Sequence, residues 1–137
     1  MPTVTYAYAF DYVSVGARTL PLLHVVVRAP NGQAVETDAC LDSGASDSLF
    51  DGEILAGIGI NLLDGAQRRY GSAIVGVGID ARIHRVRLEH AELGNFSLDV
   101  GFSTGPISRN LLGRDFFRLI QLGFREYHQT VFIEPTP

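Results

Sequence analysis

Asp42-Ser43-Gly44-Ala45 follows the apolar run Ala39-Cys40-Leu41 and places one carboxylate on a sharp glycine turn in hydrophobic surroundings. An isolated anion there is penalised by lost hydration, so a carboxylate leaving a buried strand is paired, protonated or catalytic. A second apolar run broken by glycine, Asn110-Leu111-Leu112-Gly113-Arg114-Asp115-Phe116-Phe117, lies about seventy residues on. The chemistry open to such a carboxylate is proton transfer to and from a water molecule or a leaving group.

These residues need rigid elements beneath them. Leu22 to Arg28 and Ala34 to Leu41 flank Pro30-Asn31-Gly32, and Asn-Gly is a strong hairpin signal because both residues tolerate positive φ. That hairpin delivers Asp42. Tyr70 to Val75 and Ile79 to Leu88 flank Gly76-Val77-Gly78 and read as a second hairpin with a glycine-rich tip. Asp51 to Ala56 reads as a short helix with Asp51 at its start, Phe96 to Phe102 as a strand, and Arg114 to Leu119 as a short helix packed on the sheet through its aromatic residues. Strands of five to nine residues divided by glycine indicate an all-β barrel or sandwich. At 137 residues the chain is read as one domain, 1–137, with a single core.

The order Asp42-Ser43-Gly44-Ala45-Ser46, a glycine-tipped hairpin, then Leu111-Leu112-Gly113-Arg114-Asp115-Phe116 resembles the retropepsin-like aspartic proteases, especially their small bacterial members. The resemblance covers about residues 20 to 134. It implies an all-β acid-protease barrel with one short helix in its C-terminal half, carrying half of a two-fold symmetric active site. Only one Asp-Ser-Gly is present, so the resemblance implies a homodimer in which Asp42 meets its twin at the axis. Two such carboxylates share a proton, one acting as base toward a water and the other as acid toward the scissile amide.

By the same resemblance Ser43 braces the two loops across the dyad, Gly44 permits close backbone approach and Ala45 leaves room for substrate. Gly76, Val77 and Gly78 correspond to a flap that closes over a bound peptide. Leu112, Gly113 and Arg114 support the active-site loop from behind. Two departures stand out: Ile79 replaces a further flap glycine, and Ser46 stands where retroviral members carry the acidic partner of the arginine, leaving Asp47 or no carboxylate for Arg114. Tyr6, Tyr8, Val131, Phe132 and Ile133 are candidates for a dimer sheet built from the termini, with Pro135 and Pro137 limiting the last strand.

The implied activity is an aspartic endopeptidase acting on extended, largely apolar peptides, with no cofactor and no metal. The alternative is a catalytically silent dimerisation or peptide-binding module of the same fold. A net charge of -4 argues against nucleic acid as partner, and Arg82, Arg85 and Arg87 fit one solvated strand face. All eleven cations are arginine. No apolar run nears the roughly 18 residues that cross a bilayer, and the N-terminus lacks a secretory pattern, so no membrane contact and a cytoplasmic location are expected. Cys40 is the sole cysteine, which excludes an internal disulfide, and it reads as a small buried hydrophobe.

Overall fold

The computed structural model describes residues 3–71 and 78–135. In chain order the strands are β1 (Tyr8–Asp11), β2 (Val13–Val15), β3 (Arg18–Leu20), β4 (Leu22–Arg28), β5 (Ala34–Leu41) and β6 (Leu49–Asp51). A short helix α1 (Glu53–Ala56) follows, then β7 (Ala66–Gly71), β8 (Gly78–His90), β9 (Gly94–Ser103) and β10 (Asn110–Leu112). Helix α2 (Arg114–Phe117), β11 (Ile120–Arg125) and β12 (Thr130–Pro135) complete the chain.

The main sheet runs β4-β5-β10-β6-β9-β8-β7, and β4 also pairs with β8, so six strands close into a barrel and β7 extends it. Most neighbours are antiparallel, but β10 lies parallel to β5 and β6 parallel to β9. The fold is thus mostly β, with two short α-helices where the sequence reading placed them.

The first hairpin forms as its sequence dictates. Ala29 N–H donates to Gln33 O at 2.8 Å, Asn31 Oδ1 accepts from Gln33 N–H at 2.8 Å, and Gly32 sits at φ 90°, a conformation glycine adopts without penalty. On β4, Leu23, Val25 and Val27 alternate inward, as one buried sheet face requires. On β5 the pattern changes to continuous burial at Ala39-Cys40-Leu41, where β4 lies on one side and β10 on the other. The core gathers Phe50, Phe102 and Phe116 with branched aliphatics from most strands, and Phe116 fixes α2 to it. Burying that ring is worth about 1.5–3 kcal/mol, enough to hold a one-turn helix that could not stand alone.

The β4–β8 seam carries its own charges. Arg28 donates to both oxygens of Glu89, at 2.7 and 3.0 Å, and Arg87 donates to Oε2 at 2.8 Å. The Arg28 hydrogen bond, followed by that of Arg87, holds the Glu89 carboxyl down at about 2. Arg85 lies 3.6 Å from Asp99, and Arg82 donates to the carbonyls of Leu63 and Gly65. Arg85 and Arg87 share one face of β8 and Arg82 lies on the other, so the three do not form the single solvated face expected from the sequence.

Three features differ from expectation. The strand expected from Tyr70 begins at Ala66, because its partner β8 extends to Gly78 and continues the ladder along Ala66↔Ile83 to Gly71↔Gly78. Asp51 precedes α1 by more than a cap position: Gly52 occupies the N-cap, and Asp51 Oδ1 still accepts from Glu53 N–H at 3.0 Å. The terminal strands pair within the chain, in the order β1-β12-β11, and β12 ends at Pro135. Both edges of β12 are occupied, and Val131 and Ile133 are buried in the chain's own core, so neither is available to a second copy. Tyr6 lies against Phe132 with ring centroids 5.9 Å apart. Among the described residues no helix is long and apolar enough to cross a membrane.

Candidate active site

Strand β5 ends at Leu41 with its register fixed against β10 by Leu41↔Leu112. The next residue stays tethered, since Asp42 N–H donates to Leu112 O at 2.9 Å. The chain then turns sharply, with Ala45 N–H reaching Asp42 O at 3.2 Å. Gly44 N–H donates to Asp42 Oδ1 at 2.8 Å and so orients the carboxylate toward the turn. A Cβ on Gly44 would lie 3.1 Å from that oxygen, crowding the carboxylate. Asp42 is half-buried while Ser43 and Gly44 are exposed, so the tip of the loop faces outward.

The support predicted from Leu112, Gly113 and Arg114 is present behind this loop. Arg114 N–H donates to Ala45 O at 2.9 Å, and Asp115 N–H to Ser46 O at 3.2 Å. A Cβ on buried Gly113 would stand 2.7 Å from Ala45 O and 2.8 Å from the carbonyl carbon and oxygen of Asp47, so only glycine fits without movement. Arg114 donates through Nη2 to Ser46 Oγ at 3.1 Å. Asp47 does not take the role offered to it by the sequence: it pairs with Arg68 on β7 at 2.9 Å, and the Arg68 guanidinium lies over the Tyr70 ring at 5.1 Å.

Ser48 and Asp115 carry a function that the sequence reading missed. Fully buried Ser48 donates from Oγ to Asp115 Oδ1 at 2.7 Å and accepts from Gly113 N–H at 3.1 Å, while its own N–H donates to Asp115 Oδ2 at 2.9 Å. Asp115 Oδ1 also accepts from Phe116 N–H at 2.7 Å. One carboxylate thereby joins the end of the Asp42 loop to the start of α2. The available signal was an acid in the first turn of a short helix, a position that favours negative charge. Ser48→Ala is expected to cost about 2 kcal/mol, because the Gly113 amide loses its acceptor in a buried place. The urea midpoint of the variant measures this, and an unchanged midpoint would show the network to be incidental.

Two open arms share a wall of Leu49, Ile79 and Leu111, and Asp42 lines the larger of them. One arm, about 500 Å³, passes Cys40, Ile107 and Arg109. The other, about 340 Å³, passes Ala45, Asp47 and Tyr70. Cys40 is buried as expected, yet it lines the cleft beside Asp42; burial pushes its thiol up and Arg109 opposes that shift. Burial also raises the Tyr70 phenol, against a smaller lowering by Arg68. Ile79 therefore occupies a wall position, and Gly78 is the first residue of β8 paired with Gly71. Gly76 and Val77 lie outside the described residues. Among the described residues no three His, Cys, Asp or Glu side chains stand together as metal ligands.

A family model described as aspartyl protease matches residues 23–116, from β4 through the helix that supports the Asp42 loop. The chain belongs to the aspartyl protease family. Its fold is retropepsin-like: the retropepsin-like aspartic protease from Rickettsia conorii is similar with a TM-score of 0.58 and 15% identity, over 82% of this chain and 92% of that one. The EIAV protease in complex with the inhibitor HBY-793 gives a TM-score of 0.48 at 19% identity, over 77% of this chain and 92% of that one. No curated protein matches the sequence. Within this aspartyl protease the family match takes in both the Asp42 loop and its support, but leaves β1 to β3, β11 and β12 outside.

Proposed function

We propose that the chain is half of an aspartic endopeptidase, active as a homodimer in which the two Asp42 carboxylates meet at the two-fold axis. The observation that carries this reading is the Asp42 loop itself. A single carboxylate is oriented by Gly44 N–H, its loop is backed by residues 112–115, and it lies half-buried in the larger cleft arm. A binding module has no physical need for such a group. Across the axis, Ser43 is exposed where its hydroxyl can bond to the opposite loop, and Ala45 leaves the cleft floor open.

In the dimer two carboxylates about 3 Å apart cannot both ionise and hold one proton between them. The ionised member takes a proton from a water as that water attacks the peptide carbonyl. The protonated member gives its proton to the amide, first to the carbonyl oxygen and, after redistribution, to the departing nitrogen, so no covalent intermediate forms. An extended peptide lying across both protomers places alternate side chains in the two arms. The β7–β8 hairpin, which reaches over Leu49 and Leu111 through Ile79, is the element that closes on it.

Cleavage of a peptide mixture between about pH 4 and 7 tests the chemistry, in the range where a shared-proton pair operates. Dimer exchange predicts that specific activity drops as the enzyme is diluted, since monomers lack half the dyad. Specific activity that stays constant down to nanomolar enzyme would count against an exchanging dimer.

A further inference from the structure

We propose that the cleft arm lined by Arg18 and Arg109 is a subsite for an acidic side chain, Asp or Glu, of the bound peptide. This rests on the endopeptidase reading for the position of the peptide, and on the charges of the cleft for its chemistry. Both arms contain a pair of arginines, and Asp42 lines only the larger, but the pairs differ. In the smaller arm Arg68 is bound to Asp47 at 2.9 Å and Arg69 to Asp80 at 2.8 Å, so both cations are already matched. In the larger arm neither Arg18 nor Arg109 forms an ion pair among the described residues.

The surroundings of Arg109 sharpen the contrast. Its backbone immediately precedes β10, so its position is fixed by the same strand that supports Asp42. The residue is half-buried, and it shares its arm with Leu49, Ile107 and Leu111, an apolar wall that weakens solvent screening. It lines the arm beside the Cys40 thiol, a weak acceptor that cannot occupy the guanidinium's five N–H donors. Arg18 enters the same arm from the start of β3, on a separate hairpin. A planar guanidinium with free donors binds a carboxylate in two parallel hydrogen bonds, which a neutral amide cannot match. At about 500 Å³ the arm has room for a glutamate side chain. The chain's net charge of -4 gives acidic peptides no long-range attraction, so this recognition is local to the arm. It also amends the largely apolar preference expected from sequence: one arm reads charge, and the wall common to both remains apolar.

The test uses matched short peptides with apolar residues at the centre that differ only by Glu against Gln at one position. Versions with a reduced, uncleavable central bond report binding to the wild-type protein, and the ordinary amides report turnover. At one position the Glu peptide is expected to bind about tenfold more tightly than its Gln twin. Arg109→Gln should erase most of that ratio, read as Glu against Gln peptide on the same variant, and Arg18→Gln should reduce it. Equal binding of Glu and Gln peptides at every position overturns the proposal, as would occur if these arginines instead meet carboxylates of a second copy. A preference that survives in both variants, or no peptide binding at all, overturns it as well. Selective binding without turnover upholds the subsite and removes the endopeptidase reading, so the two failures are separable.

Discussion

Asp42→Asn is expected to lower peptide turnover by at least about 10³-fold, the largest effect of any single substitution that leaves the chain folded. Asparagine keeps the size of the side chain, and its amide oxygen still accepts the Gly44 N–H that orients Asp42 Oδ1 at 2.8 Å. The loop is therefore retained, together with the Asp42 N–H to Leu112 O bond at 2.9 Å. What disappears is the exchangeable proton, and in a homodimer it disappears from both protomers at once. General acid and general base each contribute about 10²–10⁴-fold, and here one substitution removes both roles. Initial rates on a fluorogenic peptide, with circular dichroism and sedimentation of the same samples, give the comparison. Turnover near the wild-type level in a folded variant would move the chemistry away from Asp42.

Gly113→Val is expected to cost about 3 kcal/mol or more, a large share of the 5–15 kcal/mol typical of a whole domain. Its Cβ would meet Ala45 O at 2.7 Å and the Asp47 carbonyl at 2.8 Å, and both are backbone atoms that cannot rotate away. Relief requires residues 45–47 to withdraw from residues 113–115, which breaks the bonds from Arg114 N–H to Ala45 O and from Asp115 N–H to Ser46 O. The Asp42 loop loses its backing in the same movement. Differential scanning calorimetry should show a melting temperature lower by about 10 °C or more. An unperturbed melting curve would mean that the close approach at Gly113 contributes nothing to stability.

Much of the site was legible because its signals are local. The Asn31-Gly32 turn fixes the β4–β5 hairpin, and that hairpin fixes where Asp42 emerges. Gly113 was legible through the family resemblance, which implies that Leu112, Gly113 and Arg114 support the active-site loop from behind. What could not be read was pairing between side chains from distant segments. Nothing in the spacing of Ser46, Asp47 and Arg114 says that the arginine goes to Ser46 Oγ while Asp47 goes to Arg68 on another strand. Ser48 and Asp115 escaped notice for the same reason, because an unremarkable serine and an acid next to an arginine acquire their role only when the parallel β5–β10 pair brings them together. The intrachain pairing of β12 with β1 and β11 was not legible either, because β-pattern alone does not say whether an edge finds its partner within the chain or on another copy.

The insertion of β10 between β5 and β6 also sets a timetable for the newly made chain. Leu111 has Cys40 on one side and Leu49 on the other, so the two strands flanking it are complete about sixty residues before the strand that separates them exists. At roughly 5–20 residues per second of translation, that gap lasts about 3–12 s. Throughout it the backbone at Asp42 has no Leu112 carbonyl to bind, and Ala45 and Ser46 have no amides from residues 114 and 115. Pairings so remote in sequence form slowly even once the ribosome has released them. The nascent polypeptide thus carries Asp42 on an unanchored loop, and that loop gains its backing only when residues 112–115 have been made.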